Sequence, residues 1–201
     1  MSVHQRNLLI LCFTIFLAAA GWNMILPFLP LFLGELGVKT GLAQWSSFIF
    51  AAQSLAAIYM QPFWGRLGDR VGRKPMIVRA GLCLAGIYFL MSACRTPIQL
   101  ATLRFLNGAL TGFIPGSFAL IATNTPEEVS GRYVATAQSA SAFGSITGPV
   151  FGSILAGIAG YRGSMRLCGI IVLSATMLVL LLVREERRPA PGARSTLLAD
   201  V

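Results

Sequence analysis

From Asn7 to Gly34 the chain runs without a single charged residue. Five further charge-free runs follow: Thr40 to Gly65, Ala80 to Cys94, Phe105 to Pro126, Tyr133 to Tyr161 and Leu167 to Val183. A helix needs about 20 mostly apolar residues to cross a bilayer, and most of these runs reach or approach that length. A water-soluble fold could not cover itself with what remains. Only 11% of the residues are charged and 55% are hydrophobic, whereas a soluble domain carries roughly 25% charge. So much apolar mass excludes disorder as well. The chain therefore reads as an all-α polytopic membrane protein.

The third run extends back to Met76 if Arg79 snorkels to the interface. The fourth extends back to Pro97 across Arg104. Six spans are then expected, at about 8–33, 44–65, 75–94, 97–122, 132–159 and 164–183. The first run is too long for a signal peptide, and Pro27 and Pro30 stand where a cleavage site would need small residues. Residues 184–201 open REERRPAPGARS, a charged, Pro-rich composition that predicts a disordered tail or linker.

The net charge of +9 is a topology signal, since no Lys/Arg block with interleaved aromatics suits nucleic acid. With six spans both termini share one side. That side would hold Arg6, Arg66, Arg70, Arg73, Lys74, Arg79, Arg132, Arg184, Arg187, Arg188 and Arg194, against Lys39, Arg95, Arg162 and Arg166 opposite. Positive residues stay inside, so both termini are expected in the cytoplasm. Trp45 and Tyr161 then fall at the outer interface, and Trp64 and Tyr133 at the inner one.

The sole histidine, His4, lies in the N-terminal tail. No His-dependent catalytic dyad or intramembrane His-metal site is available, and no metal or cofactor is expected. Cys12, Cys83, Cys94 and Cys168 show no metal-ligand spacing and read as small apolar residues. Cys94 and Cys168 both fall near the outer face, where a disulfide is one option. With no paired intramembrane acids either, an intramembrane enzyme finds no support.

The connection between the second and third spans reads GRLGDRVGRK, Gly65 to Lys74. Gly65, Gly68 and Gly72 permit close helix approach and left-handed geometry. Asp69 is placed to accept hydrogen bonds from Arg73 or from a nearby helix N-terminus. Taken as composition alone, this is a basic loop that sets topology, with Arg70 and Lys74 among its charges. Its spacing, however, resembles the signature loop of the major facilitator superfamily of secondary transporters. LRFLNGALTG (Leu103–Gly112) resembles the family's R-x-x-x-G motif, through Arg104 and Gly108. GSITGPVFGS (Gly144–Ser153) resembles the glycine–proline motif of its antiporter branch, with Ser153 where the pattern ends in Gly. NMILPFLP (Asn23–Pro30) is similar to the first-helix pattern of its drug:proton antiporters. The whole looks most like bacterial multidrug and tetracycline efflux pumps. Members of this family have twelve spans in two six-span halves, each half a pair of inverted three-helix repeats. The resemblance therefore implies that this chain corresponds to the N-terminal half.

Arg104 lies about seven residues into the fourth span, roughly 10 Å from its end. A charge so deep is a functional hypothesis by default; the plainer alternative is an arginine snorkelling to the outer headgroups. Asn23 sits at similar depth, so the two are expected to face each other. The resemblance implies proton coupling or substrate passage for this arginine. Gly144, Gly148 and Gly152 form a smooth stripe, and Pro149 removes one backbone hydrogen bond. In an alternating-access transporter that stripe is expected to face the other half; otherwise it serves ordinary helix packing. Asn23, Met24, Pro27, Gln53, Tyr59, Asn107, Gln138 and Phe143 are candidates for a central path. Their apolar and amide character suits lipophilic, often cationic drugs.

The function expected is proton-coupled drug efflux in a bacterial inner membrane. The partners are lipid, protons, a small drug, and a second six-span half or a second copy. A non-transporting remnant and an exporter of sugars or other metabolites are the competing readings. No acid lies inside any expected span; Glu35 and Asp69 sit at membrane edges.

Overall fold

The computed structural model describes residues 3–183 and 185, with side chains from Gln5 onward. The expectation for the tail from Arg184 to Val201, apart from Glu185, lies outside the described residues, as does the His4 side chain. Every regular element among the described residues is helical: α1 (Val3–Met24), α2 (Leu29–Glu35), α3 (Leu42–Val71), α4 (Arg73–Ser92), α5 (Pro97–Leu110), α6 (Phe113–Thr123) and α7 (Glu127–Leu182). Gln5–Met24, Arg73–Ser92, Pro97–Thr123 and Glu127–Leu182 are long and apolar enough to cross a membrane. Helix α3 is long enough, at 30 residues, but Gln44, Gln53, Gln61 and its charged C-terminal turn make it more polar.

Two runs that read as single spans are broken. Pro27 has no N–H to continue α1, and the chain restarts at Leu29 with Pro30 in the first turn of α2. Between α5 and α6, Thr111 is extended and Gly112 takes φ 148°, a conformation that favours glycine. Helix α7 has 56 residues, about 84 Å of α-helix and far more than one crossing. It is interrupted at Gly160, where φ is 68° and ψ 172°.

Packing shows that the chain reverses there. A Cβ on Gly144 would stand 2.5 Å from the Phe16 carbonyl oxygen, and one on Gly148 2.5 Å from that of Ala20. One on Gly152 would overlap the carbonyl oxygen of Met24. Both partners advance together, so residues 127–159 run parallel to α1 with their backbones touching. Beyond Gly160 the direction inverts. Cys168 Sγ donates to the Gly21 carbonyl, while Val179 packs with Leu11 and Ile15. Residues 161–182 thus run antiparallel to α1, and also to α4, where Gly81 abuts Thr176 and Gly169 abuts Phe89.

The glycine stripe of the span 5 motif is therefore used inside this bundle. The expectation that it faces another half is corrected: those three glycines are buried on α1. Ser153, the departure from the motif, is exposed on another face and donates to the Pro149 carbonyl at 2.9 Å. The helix stays continuous through Pro149; its break is at Gly160. Cys94 and Cys168 are free thiols rather than a disulfide.

Gly152→Ala is expected to force α1 and α7 apart and to cost about 1–3 kcal/mol, seen as a lower thermal midpoint of the purified protein. Gly157→Ala, on the same helix with nothing within 4 Å of the added methyl, is expected to be neutral or stabilising by up to about 1 kcal/mol. Equal midpoints for the two variants would contradict the backbone contact.

Candidate functional site

Helices α3 and α5 approach most closely at Gln53. A Cβ on Gly108 would overlap the Gln53 carbonyl oxygen, so only glycine allows the helices this close. Arg104, one turn earlier, donates from Nη1 to Gln53 Oε1 at 3.2 Å. The arginine and glycine of the R-x-x-x-G motif thus grip the side chain and the backbone of the same glutamine. Arg104 is 1% exposed and does not snorkel. Its guanidinium lies 6.0 Å from the Phe50 ring centroid. Its Nε and Nη2 have no hydrogen-bond partner.

Asn23 goes elsewhere. Its Nδ2 donates to the Ala19 carbonyl at 2.8 Å and to Ser145 Oγ at 3.1 Å. The expected pairing of Asn23 with Arg104 is corrected: the asparagine is bound to α1 and residues 127–159, the arginine to α3. The glycine seam explains this, because it holds Asn23 one turn from Gly148 and beside Ser145.

Asn23 lines a cavity of about 320 Å³ with Trp22, Gln61, Thr111, Phe113 and Ser145. Its walls combine two aromatic rings with two amides and two hydroxyls. Of the candidate path residues only Asn23 lies there. Met24, Gln53 and Asn107 are buried between helices. Pro27, Tyr59, Gln138 and Phe143 are exposed, Phe143 stacking on Phe16 at 5.6 Å. Trp22 and Gln61 are not among the residues singled out by sequence. An amide directly before Pro62 in a charge-free run was the available signal for Gln61.

The signature loop lies at the far end of α3. Asp69, in the last turn of α3, pairs with Arg73, the first residue of α4. The N-terminus of α4 is capped from elsewhere: Glu185 accepts from the backbone N–H of Arg73 at 2.6 Å and of Lys74 at 3.1 Å. A carboxylate suits the exposed donors and positive dipole of a helix start. Gly72 (φ 118°) turns the chain between the two helices, and a Cβ there would meet Glu185 Oε2 at 3.0 Å. Gly68 meets Met76 at an ordinary 3.4 Å, and Gly65 has nothing within 4 Å. Close approach is expected of all three; Gly65 does not make it.

Arg79, half-buried near the start of α4, is held by two groups of the neighbouring helices. Its guanidinium sits 3.5 Å over the Trp64 ring, and Nη2 donates to the Leu110 carbonyl at 3.5 Å. Trp64 Nε1 donates to the Ala109 carbonyl at 2.7 Å. Helix α5 ends at Leu110, so these are carbonyls freed by the break before α6. In hydrocarbon each must find an internal partner. Trp64 therefore serves as an internal cap for this break. A smaller cleft, lined by Gln61, Trp64, Gly65, Arg73, Arg79 and Pro115, lies beside the break, and Gln61 and Pro115 also line the larger cavity. Loop, break and cavity are contiguous.

The family model of the Major Facilitator Superfamily matches residues 11–198. "Multidrug resistance protein MdtG" of Proteus mirabilis (strain HI4320) is 37% identical over 187 residues, 92% of this chain and 46% of that protein. The proteins of the same name from Enterobacter lignolyticus (strain SCF1) and Salmonella paratyphi C (strain RKS4594) are 37% and 36% identical over the same share of this chain. The chain spans about half the length of the curated relatives it matches.

Trp64→Phe keeps a ring beneath Arg79 but removes the N–H that holds the Ala109 carbonyl. We expect a loss of about 1–3 kcal/mol and faster amide hydrogen exchange in residues 107–116. Unchanged exchange there would show that the break does not depend on this bond.

Proposed function

Because the chain belongs to the major facilitator superfamily, we propose that it forms one six-span half of a proton-coupled exporter of lipophilic drugs, working by alternating access. The family is one of secondary transporters and not of enzymes. The observation that carries the reading to drugs is the cavity walled by Trp22, Phe113, Asn23, Gln61, Thr111 and Ser145. Flat apolar rings accept many shapes, and a few neutral hydrogen-bonding groups orient them without demanding one ligand. The names of the relatives support the same class.

The six crossings follow the helices: 3–35, 42–71, 73–92, 97–123, 127–159 and 161–182. The excess of Lys and Arg beside the 65–74 loop supports a bacterial inner-membrane protein with that loop and both termini on the cytoplasmic side. The cavity then opens toward a second six-span half, or a second copy of this chain, which supplies its other wall. Among the described residues the carboxylates are Glu35, Asp69, Glu127, Glu128 and Glu185, all at helix ends. The coupled proton is therefore carried by an edge acid or by the second half. Asp69 and Arg73 form one face of the cytoplasmic gate, and Glu185 fixes the loop's orientation by holding the start of α4.

Cells making this chain should accumulate less of a lipophilic cationic dye than cells lacking it. Asp69→Asn and Arg104→Ala should each return accumulation to the level of cells lacking the chain, at unchanged protein abundance in the membrane. Export undiminished in both variants contradicts the reading. Accumulation unaffected by the native chain, with or without a second half, points to a remnant or to a metabolite exporter.

A further inference from the structure

Among the described residues, Arg104 is a buried cation with no counter-charge beside it. It is 1% exposed, in a bundle with Tyr88 (0%) and Asn107 (1%) beside it. Arg104 Nε and Nη2, both Asn107 side-chain atoms and the Tyr88 hydroxyl all lack a hydrogen-bond partner. The Tyr88 hydroxyl adjoins Asn107, and Tyr88 and Cys168 are the titratable groups that act electrostatically on Arg104. No carboxylate is among them. Gln53 contributes a neutral oxygen to Nη1, and the Cys168 thiol donates its hydrogen bond to the Gly21 carbonyl. Arginine does not deprotonate in proteins. A buried cation with one neutral acceptor is costly unless something negative joins it.

The unmet groups are mostly donors: two N–H edges of the guanidinium, the Asn107 amide and the Tyr88 hydroxyl. A cation or proton site would be the reverse, rich in acceptors. We propose that Arg104, Asn107 and Tyr88 bind a small monovalent anion of the chloride class, which neutralises the arginine between α3, α4 and α5. The anion takes the place that an acidic side chain would otherwise fill in this chain. The site is closed to bulk water, so the anion enters as the bundle assembles or opens. Nothing in this inference depends on whether the chain exports drugs. The binding groups come from this bundle alone, so a second half is not needed for it.

The test is thermal unfolding of the purified full chain in nanodiscs, with sodium chloride titrated against sodium gluconate at constant ionic strength. Chloride should raise the midpoint saturably, by about 2–8 °C, and bromide should do the same while gluconate does not. Asn107→Asp places a carboxylate of nearly the same size inside the site. That variant should unfold in gluconate at the midpoint of the native chain in chloride, and chloride should no longer shift it. Arg104→Gln, where it folds, should also lose the shift. Equal midpoints of the native chain in chloride and gluconate would mean that water alone satisfies these groups, and would overturn the proposal. So would an Asn107→Asp variant that keeps the full chloride shift.

Discussion

The backbone contact between α1 and residues 127–159 sets the rest of the bundle. Lipid tails are as apolar as leucine side chains, so burial alone gives two membrane helices little reason to associate. Close approach supplies dispersion contacts instead, and here it is as close as helices come. Three glycines at intervals of four lie on the carbonyls of Phe16, Ala20 and Met24. Once that parallel pair is made, the remainder of α7 must return along its side. Gly160 permits the reversal, and Cys168 and Val172 then close on Gly21. The first span thus sits between both arms of α7, with Ile15, Ala18 and Ala19 fully enclosed.

A second seam joins α3 to α5 at Gln53, and its construction is similar: a glycine admits the backbone and a polar group locks the register. Both seams lie beside an interruption, α7 breaking at Gly160 and α5 ending before Thr111. The interruption between α5 and α6 lies at the wall of the large cavity, where Thr111 and Phe113 face Asn23 and Ser145. Its freed carbonyls are held by Trp64 and Arg79, at the end of α3 that leads into the signature loop. A change in the loop is therefore mechanically linked to the cavity wall through one tryptophan and one arginine.

Much of this was legible as spacing. The charge-free runs mark where the long helices lie, and the glycines of all three motifs are recognisable from the chain alone. What each glycine touches was not. The stripe from Gly144 to Gly152 has the right period for any close neighbour, and nothing in its own sequence chooses between another half and α1. Depth along a span likewise does not define azimuth. Asn23 and Arg104 lie at comparable heights, yet their helices turn them toward Ser145 and Gln53 respectively. That Arg79 rests on an aromatic platform of the preceding helix cannot be inferred without the fold. Glu185 reaches back from the far side of α7 to the start of α4, a contact that no local pattern announces.

The central claim is that this bundle forms the drug-facing wall of an export path driven by protons. The most direct test joins the chain to the second half of the Proteus mirabilis relative and reconstitutes the chimera in vesicles. An imposed proton gradient should drive a lipophilic cationic dye across the membrane, and collapsing the gradient should stop it. If the whole relative moves the dye in such vesicles and the chimera does not, although it is folded and inserted, the account fails.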